Sequence, residues 1–357
     1  MAAPGELGGR GIGNEKESSQ EFKSTELACH IVIEGTSTDQ STPLFSLLNG
    51  EGAGAMLAAA AGDVAGGTSA LGYSAVTQQA TVLAYHLLRN DGVDRQGLID
   101  DWLELAADGE SPSLYRSPSE SFSSFLIAAR AGEGSATAQP SAEPAARIHP
   151  VGVWYRRDPA KLVAAAIAAS RITHSDATSV LGAAAVAGAV AASCFAQSGR
   201  DLLAAVAEVV ERCLGEIGDD DVSFSRLEDA RAWHRELREL IQSRDATETV
   251  AGLAGRGTGS PGHLLMLSIL LAAPVGVEPY RQVEQAASWG GTELAAIVGA
   301  MVGSRVGIRS WPWVVPNDTW FAEIGRRLVS GNRETRDIPV PNHVEERLSL
   351  GGRGQTF

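Results

Sequence analysis

Hydrophobic residues recur along this chain at the three- and four-residue spacing of helices from about residue 52 onward. Residues 223–244 place leucine and alanine at this spacing against glutamate and arginine, which is typical of a surface helix. Residues 160–171 and 178–197 are apolar on most sides, which predicts helices at the centre of the fold. The pattern predicts about ten helices in one compact all-α array.

The two ends of the chain have a different pattern from this helical region. Residues 1–26 are polar and rich in glycine, which predicts disorder, and residues 27–34 (LACHIVIE) carry the one convincing strand signal. The predicted organisation is therefore a disordered N-terminal tail over 1–26, an N-terminal appendage with a short strand over 27–50, a single large all-α domain over 51–332, and a polar C-terminal tail over 333–357.

Composition narrows the possible functions. Only 6% of the residues are aromatic while 40 are glycine, so the apolar mass is mostly alanine, leucine and valine, and small side chains let helices approach closely. The formal net charge of −14 argues against a nucleic-acid partner, whose binding surface would be basic, and against an anionic membrane surface. The apolar stretch over 180–196 is too rich in small residues to predict a membrane span, and the stretch over 264–273 is too short.

The cysteines and the N-terminus indicate where the protein resides. Cys29, Cys194 and Cys213 form no CxxC pair and cannot all be joined in disulfides, which favours a reducing compartment. Residues 1–22 lack the apolar core of a signal peptide. The expected location is therefore the cytoplasm.

Three segments resemble the motifs of one enzyme family. Residues 52–78 (GAGAMLAAAAGDVAGGTSALGYSAVTQ) are similar to a GAxxGxxxGDALG helix followed by YTDDTQ. Residues 147–176 carry counterparts of R-x-x-P-L-G-L-x-Y and THxD, and residues 288–307 are similar to GGDTDTxAAIxGALAGAxxG. In this order, these motifs resemble the ADP-ribosylglycohydrolase family. The resemblance implies a large multi-helix domain and a ligand cleft for ADP-ribose.

The acids of the family's motifs are missing from this sequence. In the family, they hold two magnesium ions, which need hard oxygen ligands and a negative charge around them. The two aspartates of YTDDT correspond to Ala75 and Val76, and DTDT corresponds to residues 290–293, Gly-Gly-Thr-Glu. Glu293 is shifted by one residue, or about 100° around a helix, from the aligned aspartate. The sequence therefore predicts no magnesium site and no other cofactor.

Several polar residues of the motifs persist. The resemblance implies a set of ligand-binding residues, namely Thr77, Gln78, Arg147, His149, Gly152, His174 and Asp176. The catalytic residues are unknown, with His174, Asp176 and Glu293 as candidates. A structural interpretation is also open for Asp176, as the N-terminal cap of the apolar helix that follows it.

Three functions are compatible with these observations. The first is a degenerate, non-hydrolytic member of the fold that binds ADP-ribose, another nucleotide-like molecule or a protein partner. The second is an active hydrolase or group-transfer enzyme whose rebuilt site takes its acid or base from His174, Asp176, Glu293 or Glu143. The third is an interaction protein whose cleft is filled by side chains such as Val76, His149 or Trp313.

Overall fold

A computed structural model describes residues 50–67, 72–106, 113–133, 136–196, 198–218, 225–242 and 260–350. These residues form fourteen α-helices and no β-strand, so the predicted all-α class is confirmed. The predicted strand over 27–34 and Cys29 lie outside the described residues. In the described part of the chain, no helix is long and apolar enough to cross a membrane.

The helices follow one another through short connections. Their bounds are α1 Gly50–Gly66, α2 Ala75–Asn90, α3 Arg95–Leu103, α4 Glu120–Arg130, α5 Glu143–Arg147, α6 His149–Trp154, α7 Pro159–Ser170, α8 Ala177–Ser193, α9 Gly199–Ile217, α10 Leu227–Gln242, α11 Pro261–Ala272, α12 Pro279–Val306, α13 Asp318–Ser330 and α14 Pro341–Ser349.

The first helix packs on α12 and α13 through glycine and alanine, and we call this contact the small-residue interface. A Cβ atom at Gly299 would overlap the carbonyl oxygen of Ala58, and one at Gly303 would overlap that of Gly54. Gly325 of α13 meets α1 in the same way, because its Cβ would overlap the backbone of α1. The backbones of the three helices therefore approach more closely than larger side chains allow.

Helix α8 lies at the centre, as its apolar sequence predicts. All of its residues except Ala192 are buried, and it packs against helices before and after it in the chain. Helix α7 keeps an exposed edge at Ala160, Lys161 and Ala164, so it is less central than its composition indicates.

Helix α12 is two helices joined by a kink. Gly290 has φ −142° and Gly291 has φ +62°, the second of which is costly for any residue other than glycine. This break agrees with the sequence pattern, which predicts separate helices over 280–288 and 293–302. The second half of α12 thus begins with its own N-terminus beside Thr292.

The predicted polar tail over 333–357 contains helix α14. Its Val344 and Glu345 are buried, and Glu345 accepts hydrogen bonds from the Tyr73 hydroxyl at 3.0 Å and from Arg116 Nη1 at 2.5 Å. A nine-residue helix with few apolar positions gives a weak periodic signal, so only these distant partners reveal that it belongs to the fold.

Candidate functional site

The first and third motif segments meet where α1 ends, α2 begins and α12 is kinked. A Cβ atom at Gly66 would overlap the backbone of Gly291, and one at Gly67 would lie 3.4 Å from Thr292 Oγ1. The absence of side chains at these glycines allows the backbones of the two motifs to touch. The site is therefore built from the C-terminal end of α1 and the N-terminal ends of α2 and of the second half of α12, and helix N-termini favour negative charge.

Asp63 holds the start of α2. Its Oδ2 accepts four hydrogen bonds, from the N–H groups of Ser74 and Thr77 at 3.0 and 3.2 Å and from their hydroxyls at 3.0 and 2.6 Å. The carboxyl is fully buried and its Oδ1 has no partner among the described residues. Burial raises the pKa of Asp63, and the hydrogen bonds oppose that rise.

Two of the predicted ligand-binding residues, Thr77 and Gln78, make hydrogen bonds inside the protein. The Thr77 hydroxyl donates a hydrogen bond to Asp63 Oδ2, whereas Gln78 Oε1 accepts one from the backbone N–H of Arg116 at 2.8 Å. Gln78 Nε2 donates to the Leu114 carbonyl at 2.9 Å. These contacts fix the N-terminus of α2 and the segment before α4, and a ligand-binding role for either residue stays a prediction.

The residues at the family's metal positions do not fit magnesium. Ala75 and Val76 offer no oxygen ligand from their side chains, Gly290 has no side chain, and Thr292 offers a neutral hydroxyl in place of a carboxylate. Asp63 has already committed one oxygen to four donors. Within the part of the chain that the structure describes, no three histidine, cysteine or acidic side chains form a group that could hold a metal ion. Magnesium requires about six oxygen ligands, several of them carboxylates or waters, which this donor set does not provide.

A buried chain of hydrogen bonds runs from α5 to the start of α8. Glu143 Oε1 accepts from Gln79 Nε2 at 2.8 Å, and Gln79 Oε1 accepts from Arg147 Nη1 at 2.6 Å. Arg147 Nη2 donates to the Thr173 hydroxyl, which also lies 2.9 Å from His174 Nδ1. We call this chain of five side chains the buried polar network. It brings together three residues that the sequence singles out, Arg147 and His174 as ligand-binding residues and Glu143 as an acid of the alternative enzyme.

Sequence reasoning missed Gln79 and Thr173, the two residues that connect the network. Gln79 is fully buried and Thr173 nearly so. A signal for Gln79 does exist in the sequence, because four of the five residues over 77–81 are polar although they lie in a helix that faces the core. Thr173 is the first residue of the THxD counterpart, but its place in the network depends on Arg147 lying beside it in space.

Burial lowers the pKa of both basic groups in the network. Burial lowers the pKa of His174 to about 3, with the charge of Arg147 adding to the effect, so its imidazole is neutral near pH 7. Burial also lowers the pKa of Arg147 to about 10, although Glu143 opposes this shift. The Arg147 guanidinium lies 4.8 Å from the centre of the Trp102 ring, a favourable cation–π distance. His174 Nε2 has no partner among the described residues.

The other candidates occupy separate places. His149 is buried and its pKa falls to about 4 because of burial, while its Nδ1 has no partner in the described part of the chain. A Cβ atom at Gly152 would lie 2.5 Å from the Ala187 carbonyl oxygen, so this glycine lets α6 approach α8. Of the side chains expected to fill the cleft, Val76 and Trp313 are half-buried.

Asp176 caps helix α8, as its structural interpretation predicts. Its Oδ1 accepts from the Ser179 N–H at 2.8 Å, and the side chain is fully buried. Its Oδ2 has no partner among the described residues. Burial raises the pKa of Asp176, opposed by its hydrogen bonds to Ser179 and by the charge of Arg226.

One acid raises the pKa of another acid from a different element. Glu293, the second residue after the kink in α12, is half-buried, and burial together with the charge of Glu143 raises its pKa to about 7. Glu143 is fully buried and accepts from Gln79, from the Ser119 hydroxyl at 2.7 Å and from the Ser121 hydroxyl at 3.2 Å. Glu293 has no hydrogen bond within the described part of the chain, so it is the less constrained acid of the pair.

These features define an all-α protein with a polar site at the junction of its helix ends. The family model described as ADP-ribosylglycohydrolase matches residues 48–337, which is most of the chain. The chain belongs to the ADP-ribosylglycohydrolase family, and the resemblance of its three motifs is confirmed.

Comparison with solved structures supports the fold. A structure described as an ADP-ribosylglycohydrolase-related protein complex has a TM-score of 0.58 and 18% sequence identity, and the match covers 81% of this chain and 100% of that chain. At this identity, the likeness concerns the fold. A search of the curated proteins gave no match.

Proposed function

We propose that this chain is a degenerate member of its family that lacks the two-magnesium site and binds a ligand or partner without hydrolysing it. The observation that carries the proposal is the replacement of the family's acids by Ala75, Val76, Gly290 and Thr292. Two magnesium ions need several anionic oxygens to offset their charge. Asp63, the acid retained in the first motif, serves as the anchor of α2 instead.

The proposed ligand is ADP-ribose or another nucleotide-like molecule. Support comes from the buried polar network, in which His174 Nε2 is left without a partner among the described residues. A buried polar atom without a partner costs free energy, so a ligand that pairs with it gains that contact at little further cost. Because the pKa of His174 is about 3, this contact is made by a neutral imidazole rather than by a cation.

The test is the melting temperature of the purified chain with ADP-ribose, in magnesium and in EDTA. We expect ADP-ribose to raise the melting temperature equally in both buffers, because no metal takes part in binding. His174→Gln should reduce this rise, whereas the matched variant of the exposed His343, His343→Gln, should keep it. Magnesium-dependent release of ADP-ribose from a modified protein would contradict the proposal. An unchanged melting temperature would favour a protein partner and an interaction role.

The alternative function is a metal-independent hydrolase or group-transfer enzyme acting on an ADP-ribosyl or related glycosidic bond. The observation that favours it is the pair of acids, because a pKa of about 7 lets Glu293 donate a proton near neutral pH. Glu143 is committed to three donors and would serve mainly to raise the pKa of Glu293. Any ADP-ribosyl turnover in EDTA should then be lost in Glu293→Gln and kept in Glu284→Gln, which changes an exposed acid of the same helix.

A further inference from the structure

A cleft of about 470 Å³ lies where α8, α10 and α11 meet. None of the residues that line it belongs to the buried polar network or to the ligand-binding residues that the family resemblance implies. Its walls include Thr178 from α8, Arg226 from the segment before α10, and Gly262 and His263 from α11. The cleft is thus a separate feature of the molecule.

Two helices present their first turns to this cleft. Thr178 is the second residue of α8, and Gly262 and His263 are the second and third residues of α11. In α8, the neighbouring N–H groups of Ala177 and Ser179 are bonded to the Ser225 carbonyl and to Asp176 Oδ1. The N–H groups of Thr178, Gly262 and His263 have no acceptor among the residues that the structure describes. Unpaired N–H groups at helix N-termini attract anions.

The side chain of Thr178 is the independent sign of a ligand. Thr178 is 8% exposed, lines the cleft, and its Oγ1 has no hydrogen-bond partner in the described part of the chain. Buried hydroxyls in folded proteins are almost always bonded, so a buried hydroxyl without a partner in a residue that lines a cleft is suited to a bound group. The hydroxyl and the N–H of the same residue can both donate to one oxyanion.

Charged side chains around the cleft include both signs. Arg226 Nε lies 3.2 Å from Asp229 Oδ2, and both side chains are at least half exposed, so the guanidinium keeps further N–H donors for solvent or ligand. Glu236 also lines the cleft, and the buried carboxyl of Asp176 caps the start of α8. The cleft as a whole is therefore not strongly cationic, and the helix N-termini define where an anion would bind.

We propose that this cleft binds a phosphate group, either free inorganic phosphate or the phosphate of a phosphorylated small molecule. The N–H groups of the two helix ends, the Thr178 hydroxyl and the Arg226 guanidinium supply its donors. The inference does not rest on ADP-ribose binding, because none of these residues belongs to the network on which that proposal depends.

The experiment is calorimetric titration of the full chain, at low ionic strength, with inorganic phosphate, AMP and adenosine. We expect phosphate and AMP to bind and adenosine to give no signal. Tighter binding of AMP than of phosphate assigns the site to a phosphorylated small molecule, and equal binding assigns it to free phosphate. If neither phosphate nor AMP binds, the inference is overturned.

Two variants locate the binding. Thr178→Val should weaken phosphate binding about tenfold, as expected for loss of a hydrogen bond to a charged group, and should keep the wild-type melting temperature because the hydroxyl has no protein partner. Arg226→Gln should weaken phosphate binding by a similar factor and reduce its salt dependence. The matched control Arg235→Gln, an exposed arginine of α10 outside the cleft, should bind phosphate as the wild type does. Equal affinity in all three variants would overturn the inference. Phosphate binding without any ADP-ribose effect would contradict the proposed ligand alone.

Discussion

Glu293 places a carboxyl at the last position of the DTDT counterpart, where the family motif has threonine, and the pKa of this carboxyl is raised to about 7. Sequence alignment places Glu293 one position after the family's aspartate, and helix geometry then predicts that it points away from the aligned site. The sequence contains no sign that Glu143, which is 150 residues earlier, affects its charge. That relation depends on the kink at Gly290 and Gly291, which gives the second half of α12 its own start.

The pKa of Glu293 predicts a pH-dependent stability. A carboxyl whose pKa rises on folding from 4.5 to about 7 binds its proton more tightly in the folded state, so it lowers stability as pH rises between these values. We expect Glu293→Gln to raise the free energy of unfolding at pH 8 by about 1–3 kcal/mol, because the amide carries no charge. At pH 4 the variant and the wild type should unfold alike. Urea unfolding at both pH values measures the difference, and equal stability at pH 8 would contradict the assigned pKa.

At the scale of elements, the sequence predicts the central helices well, but it predicts about ten helices where the described residues form fourteen, and it predicts the contacts between helices poorly. The apolar pattern of α8 and the glycines between the halves of α12 are visible in the sequence itself. The buried polar network is not, because it joins Gln79 to Glu143 and to Arg147 across 64 and 68 residues. The motif alone predicts the loss of the metal-binding acids, whereas the hydrogen bonds of Asp63 and Gln78 are visible only in the packed helices.

Two glycine-to-alanine variants, one inside the small-residue interface and one outside it, should change the free energy of unfolding in opposite directions. Gly299→Ala would force a methyl group into the Ala58 carbonyl of α1, and we expect a loss of about 3 kcal/mol in the free energy of unfolding. Gly215→Ala in α9 adds its methyl where nothing lies within 4 Å, and should gain about 0.5–1 kcal/mol from helix propensity. Chemical denaturation of the two variants provides the comparison. Similar stability of both would show that α1 and α12 are not in backbone contact.

Across the whole molecule, helix α14 joins the end of the described chain to the first motif. Glu345 bonds Tyr73 and Arg116, and the Arg116 guanidinium lies 4.3 Å from the centre of the Tyr73 ring. Tyr73 directly precedes Ser74, the N-cap of α2, so α14 supports the start of the helix that Asp63 anchors. The sequence pattern assigns this region to a polar tail because the buried part of α14 is limited to Pro341, Val344 and Glu345.

Removing the Glu345 carboxylate tests this long-range support. We expect Glu345→Ala to lower the free energy of unfolding by about 3 kcal/mol, because the buried Arg116 charge and the Tyr73 hydroxyl both lose a partner. The neighbouring Glu346 is exposed, so Glu346→Ala should leave the stability within about 0.5 kcal/mol of the wild type. Thermal unfolding distinguishes the two, and equal melting temperatures would mean that α14 does not support the fold.

The small-residue interface also bears on the entropy of folding. Burying a long side chain fixes its rotamers and costs up to about 2 kcal/mol, whereas glycine and alanine have no rotamers to lose. The contact between α1 and α12, built on Gly54, Ala58, Gly299 and Gly303, therefore orders the chain at the expense of backbone freedom alone. Glycine loses more backbone freedom on folding than any other residue, so in this interface the cost of ordering lies in the backbone rather than in side-chain rotamers.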